Sequence, residues 1–145
     1  MSKVIFTNSD GSVSVMTPIE GTAEECAKRD LPDGTSYEIV DDSVVPTDRS
    51  FRNAWKQNSK TIETDMTKAR EIHKTNIRTA IATKFAELDV EFQKALETSS
   101  STTDIVSKKQ ALRDAPADSG IASASNEAEL KAQWNTSILG DSPYS

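Results

Sequence analysis

A single long helical pattern dominates the chain and runs from about Asp65 to Glu97 without a glycine or a proline. Its apolar side chains recur three and four positions apart, the spacing that lines one face of an α-helix. The predicted helix is roughly 50 Å long, whereas most helices in globular proteins have three or four turns. A chain of this size cannot bury such a helix in a compact ball, so we expect it to pack against a helical hairpin or other copies.

Alternating apolar and polar positions predict a small sheet in front of this helix. Residues 3–6 and 12–16 flank an Asp-Gly turn, a dipeptide that favours the positive φ angles of tight hairpins. Residues 36–40 alternate as a third strand, and a capping box at residues 22–25 predicts a short helix before it. A loop-rich connector follows, so residues 1–64 are expected to form a small α/β docking unit with its connector.

The remainder of the chain, residues 65–145, is predicted to be helical. A polar run ends the long helix, a second helix begins near Thr103 and stops at Pro116, and a last short helix leads to Trp134. The tail from Gly140 to Ser145 is expected to lack packing residues and to be mobile unless a partner orders it. The predicted fold class is therefore α+β: a three-stranded sheet with one short helix, then a long helix and a C-terminal helical hairpin or bundle.

The long apolar stripe is the predicted interaction surface. Part of it follows the spacing of a coiled coil, but spacings of four from Ile77 to Phe85 break the heptad and disfavour a two-stranded zipper. An intramolecular hairpin with residues 105–112 and a trimeric or higher bundle both fit a stripe this broad. The second helix is too short to cover the whole stripe, so we expect a partner or self-association to cover the rest. The candidate interface residues are Ile77, Ile81, Phe85, Leu88, Phe92 and Leu96, together with Trp55 and Trp134, which either close helix ends or anchor a partner.

Charge and composition narrow the class of protein. The net charge is −6, and neither half of the chain is basic, which disfavours binding to nucleic acid. No apolar run is long enough for a membrane span, and the N-terminus lacks the apolar stretch of a signal peptide. The single cysteine, Cys26, excludes an intrachain disulfide, so a reducing cytoplasm is the expected place of synthesis.

The sequence offers little for catalysis or metal binding. His73 is the only histidine and has no second histidine or cysteine at ligand spacing, so a packed helix histidine is expected. Cys26 lies among acidic neighbours, which disfavour a reactive thiolate. Paired acidic residues lack the loop pattern of a calcium site. We therefore expect no catalytic residues, no metal and no cofactor, and predict that the protein is not an enzyme.

Several short strings stand out together along the chain. They are Phe51-Arg52-Asn53-Ala54-Trp55, Asp65-Met66, Lys68-Ala69-Arg70, Ile72-His73, Leu88-Asp89, Lys109-Gln110-Ala111-Leu112-Arg113-Asp114, and Glu129-Leu130-Lys131 before Trp134. Taken together, these strings resemble small proteins from the tail and tail-fibre region of tailed bacteriophages and prophages. The C-terminal ones are similar to segments of tail-fibre assembly proteins or tail assembly chaperones.

The resemblance spans most of the chain and implies no catalytic residue. It implies a structural protein of the virion, made in the host cytoplasm, whose partners are other tail or virion proteins or further copies of itself, not nucleic acid or membrane. The alternative is an assembly chaperone that uses the same stripe transiently and is absent from the mature virion.

Overall fold

The computed structural model describes residues 1–144, and its architecture is the predicted α+β fold. The residues group into two compact units. The first is Met1–Ala69, and the second begins at Arg70.

The first unit contains a three-stranded antiparallel sheet made of β1 (Ser2–Thr7), β2 (Val13–Met16) and β3 (Glu38–Asp41), in the order β2-β1-β3. The turn between β1 and β2 is closed by the backbone of Asn8, whose N–H lies 2.8 Å from the carbonyl oxygen of Ser12. Gly11 has a φ of +84°, a conformation that glycine adopts without strain. The predicted three-stranded sheet is therefore confirmed.

Helix α1 (Ala23–Asp30) covers this sheet and begins with the predicted capping box. The Glu25 backbone N–H donates to the Thr22 hydroxyl at 3.2 Å, and the Thr22 N–H donates to the Glu25 carboxylate at 2.8 Å. Ala23 and Ala27 on its inner face form a core cluster with Val4 of β1. Two small residues on the helix let it approach the sheet closely, which buries the middle of β1.

A second hairpin, β4 (Trp55–Asn58) paired with β5 (Thr61–Thr64), lies in the segment that the sequence predicted to be a loop-rich connector. Only Arg52–Ala54 form a short 3₁₀ helix, and Trp55 then starts a strand opposite Thr64. Trp55 therefore lies in a strand, where ladder pairing with β5 accommodates the bulky indole.

Helix α2 (Met66–Glu97) has the predicted position and 32 residues. Asp65 caps it, because its carboxylate accepts from the backbone N–H of Thr67 at 3.0 Å. Five short helical segments follow it: α3 (Thr103–Asp114), a 3₁₀ turn (Ala115–Ala117), α4 (Ser119–Ser123), α5 (Glu127–Lys131) and α6 (Thr136–Leu139).

The short helices begin at polar caps and bury one large apolar side chain each. Asp118, Asn126 and Asn135 accept backbone hydrogen bonds at the starts of α4, α5 and α6. Helices this short are not stable alone in water, so the buried side chains hold them in place. Those side chains are Leu112, Ile121, Leu130 and Leu139.

Candidate functional site

The structure separates the eight predicted interface residues by burial. Ile77 and Trp55 are 1% exposed and Leu88 is 9% exposed, so these three pack inside the chain and are not available to a partner in this conformation. Leu96, by contrast, is 56% exposed. The other four are half-buried: Ile81, Phe85, Phe92 and Trp134.

Helix α3 packs antiparallel to the second half of α2. The Lys109 ammonium forms an ion pair with Asp89 and lies 5.0 Å from the centroid of the Phe92 ring. One helical turn further on, the Arg113 guanidinium lies 5.4 Å from the Phe85 ring centroid. Of the two arrangements left open by the sequence, this is the intramolecular hairpin.

The hairpin presents a row of apolar side chains, here called the hairpin stripe: Phe85, Phe92 and Leu96 on α2, and Val106 on α3. Val106 lies three residues before Lys109, on the same face of α3. The basic side chains cover the two aromatic rings, which combines cation–π attraction with the apolar contact of their stems. Leu96 and Val106 have no such cover and remain 56% and 49% exposed.

A buried polar centre lies at the other end of α2. The His73 side chain is fully buried, with Nε2 2.8 Å from the Gln133 carbonyl oxygen and Nδ1 2.6 Å from the Tyr144 hydroxyl. A carbonyl oxygen only accepts, so Nε2 carries the hydrogen and Nδ1 accepts the Tyr144 O–H. Asn76 donates to the same hydroxyl oxygen at 3.1 Å. Both ring nitrogens of the neutral imidazole are therefore satisfied.

Aromatic contacts complete this centre. The Tyr144 ring stacks on His73 with centroids 5.6 Å apart, and Trp134 meets both rings edge-on at 6.1 and 6.3 Å. The Trp134 indole N–H donates to the Gly140 carbonyl oxygen at 3.0 Å. We call His73, Asn76, Trp134 and Tyr144 the histidine clasp, because they hold the C-terminal segment against α2.

The clasp corrects one expectation about the tail. The segment after Gly140 does contain a packing residue, because Tyr144 combines a large ring with a hydroxyl that finds two partners in the clasp. Ser145 lies outside the described residues. The sequence signal was present, since Tyr144 is the one aromatic residue in that tail, but its partner His73 lies 71 positions away and no local pattern links them.

Electrostatics keep the clasp neutral. Burial lowers the pKa of His73, and this outweighs the hydrogen bond to the Gln133 carbonyl, which acts in the opposite direction. Burial also raises the pKa of Tyr144, although the Asn76 hydrogen bond opposes it. A protonated phenol and a neutral imidazole are the pair that the observed hydrogen bonds need. The arrangement positions chain segments and leaves neither ring nitrogen free for a ligand.

Within residues 1–144, no three His, Cys, Asp or Glu side chains converge closely enough to hold a metal ion. In the same residues, no helix is both long and apolar enough to cross a membrane.

Replacing Tyr144 with phenylalanine tests the hydroxyl of the clasp. Tyr144→Phe leaves His73 Nδ1 and Asn76 without their partner, and we expect it to lower the free energy of unfolding by about 1–3 kcal/mol. Urea titration followed by far-ultraviolet circular dichroism measures this. Tyr37→Phe is the matched control, because its hydroxyl donates only to the exposed Glu24 carboxylate at 3.2 Å. If the two variants lose the same free energy of unfolding, the Tyr144 hydroxyl does not have the role assigned to it in the clasp.

The buried histidine also predicts a pH dependence. Its pKa is lowered in the folded chain and is about 6.5 when unfolded, so the unfolded state binds more protons below that pH. The stability that depends on the neutral imidazole is therefore expected to be fully present above about pH 6.5 and to fall as the pH drops below that value, by at most about 1.4 kcal/mol per pH unit. His73→Gln removes the single histidine and should flatten the curve over this range. Nuclear magnetic resonance titration of the wild-type imidazole provides a second check, and an imidazole pKa at or above 6.5 would refute the prediction.

Comparison of the chain with protein-family models, with curated proteins and with solved structures found no match in any of the three.

Proposed function

We propose that this protein is a non-enzymatic structural component of a bacteriophage virion, in the tail or tail-fibre region, and that it works through protein–protein contacts. The observation that carries the contact role is the hairpin stripe, an apolar row that ends in two half-exposed aliphatic side chains. The phage assignment rests on the resemblance of the short strings quoted above.

The stripe is suited to docking because its geometry is already set. Lys109 is held between Asp89 and the Phe92 ring, and Arg113 lies over Phe85, so the surface is ordered before a partner arrives. Covering apolar surface contributes about 25 cal/mol per Å², less the cost of association. A preformed surface lowers that cost, because fewer side chains lose freedom on binding.

The expected contact is smaller than the one that the sequence alone suggested. Ile77 and Leu88 are covered by the chain's own helices, so the proposed partner contacts the distal half of the hairpin and not the whole length of α2. The rim of this surface carries Lys109, Arg113 and Asp89, which would set the orientation of a partner by charge complementarity.

An assembly chaperone is the second candidate. A half-exposed stripe also suits transient shielding of a tail or fibre subunit, followed by release. The two functions differ in one measurable respect, which is whether the protein remains in the finished particle.

Mass spectrometry of purified virions separates these functions. We expect the protein at a stoichiometric copy number in particles of the phage or prophage that encodes it. Presence in infected-cell lysate together with absence from gradient-purified particles would reject the structural role in favour of the chaperone.

The hairpin stripe can be tested with a matched pair of variants on one helix. We expect Leu96→Asp to reduce incorporation into particles about tenfold or more. The substitution removes a leucine that the partner would cover and places a charge in the interface. Val90→Asp is the control: Val90 is 54% exposed, close to the 56% of Leu96, but points about 120° away around α2. Quantitative mass spectrometry of complemented particles gives the copy number. Equal incorporation of the two variants would show that the stripe is not the contact surface.

A further inference from the structure

A cleft of about 690 Å³ opens on the first unit, and its lining includes none of the residues of the hairpin stripe. Its volume falls within the range of small-ligand sites. Its lining combines an apolar part, which includes Val15, Val45 and Pro46, with charged side chains and Trp55.

The charged side chains that line this cleft differ in the hydrogen bonds and ion pairs that they form. Lys3 is engaged, since its ammonium donates to the Thr17 hydroxyl at 3.0 Å and lies 3.5 Å from the Asp42 carboxylate. The Asp41 carboxylate accepts from the Ser43 backbone N–H at 3.0 Å, which lowers its pKa and keeps it ionised. Three basic and two acidic side chains line the cleft together with Met1, whose ammonium adds a further positive charge, so positive charge is in excess.

The excess is carried by two arginines, Arg49 and Arg52. Both side chains are exposed, and no hydrogen bond or ion pair of either guanidinium is found within residues 1–144. The backbone brings them together, because the Arg52 N–H donates to the Arg49 carbonyl oxygen at 3.1 Å. The backbone N–H of Trp55 donates to the Arg52 carbonyl oxygen in the same manner. Successive tight turns therefore place all three residues at the cleft.

Trp55 provides a second, independent observation. Its side chain is 1% exposed, yet its indole N–H has no acceptor within the described residues. An indole N–H only donates, and a buried donor without an acceptor costs about 1–3 kcal/mol. Trp134, the other tryptophan, does satisfy its N–H, at the Gly140 carbonyl. The indole nitrogen is itself buried from solvent, so Trp55, which lines the cleft, reports on binding there and is not counted among the groups that hold the ligand.

We infer that this cleft binds a carboxylate, held by the guanidinium groups of Arg49 and Arg52 beside the Trp55 indole. The planar guanidinium matches two carboxylate oxygens. Asp41 and Asp42 select against more highly charged anions, because a dianionic phosphate meets greater repulsion than a carboxylate with one negative charge. The apolar lining accommodates the body of the molecule that bears the carboxylate. The inference is independent of the phage assignment.

The experiment follows the Trp55 indole N–H signal of the full chain by two-dimensional ¹H–¹⁵N nuclear magnetic resonance. The chain has two tryptophans, so Trp134→Phe assigns the signal. The probes are sodium benzoate, a peptide with a free C-terminal carboxylate, an end-blocked peptide with one glutamate, and inorganic phosphate. We expect a saturable shift of the indole N–H signal with at least one of the carboxylate probes. The carboxylate probe that binds most tightly shows whether the natural carboxylate belongs to a small molecule, a chain terminus or an acidic side chain.

Variants link that shift to the arginines. Arg49→Gln and Arg52→Gln together are expected to weaken carboxylate binding about tenfold or more, and since both side chains are exposed the fold should survive. Lys56→Gln is the matched control, because it removes one exposed positive charge beside Trp55 that does not line the cleft. The inference is overturned if no carboxylate gives a saturable shift, if the arginine variant binds as well as Lys56→Gln, or if phosphate binds more tightly than every carboxylate.

Discussion

Covering the inner face of α2 is the constraint on which the second unit depends. A 32-residue helix in water is ordered mainly by what packs against it, and here the covering elements are short segments that are not stable alone. Each buries one large apolar residue, such as Leu112 or Leu130. The helix and its covering segments are therefore mutually dependent, and a change that loosens one releases apolar surface on the other.

The two halves of α2 are covered by different kinds of contact. Near its start the cover is a buried polar arrangement, in which His73 bonds Gln133 and Tyr144, and Arg70 donates to the Ala124 carbonyl at 2.8 Å. Such directional contacts specify which segment lies where, but they are costly when left unsatisfied. Near its end, α2 is covered by the single helix α3, whose basic side chains lie over aromatic rings. This arrangement tolerates contact with water. The distal half of the hairpin is consequently where apolar surface remains for a partner.

The two tryptophans illustrate how burial and hydrogen bonding carry separate information. Both are large and both were candidates for anchoring a partner, yet neither projects freely into solvent. Trp134 is a satisfied member of the histidine clasp, whereas Trp55 is more deeply buried and its indole N–H has no acceptor among residues 1–144. An exposed tryptophan suggests a contact surface, but a buried one that lines a cleft reports on binding there. The cleft beside Trp55 is therefore the more informative of the two locations.

Local patterns in the sequence determined the strands around the Asp-Gly turn, the capping box at Thr22 and both ends of α2, because propensity, capping and periodicity act over a few neighbouring residues. They predicted an apolar stripe but not which part of it is covered, since Ile77 and Leu96 look alike until distant helices bury one of them. Only the tertiary structure joined His73 to Tyr144 and gave Trp55 to a strand. The two hydrogen bonds of the His73 ring span 60 and 71 positions, and contacts between segments so far apart in the chain leave no periodic trace in the sequence. Trp55 pairs with Thr64 in a local hairpin, and this ladder pairing decides its conformation.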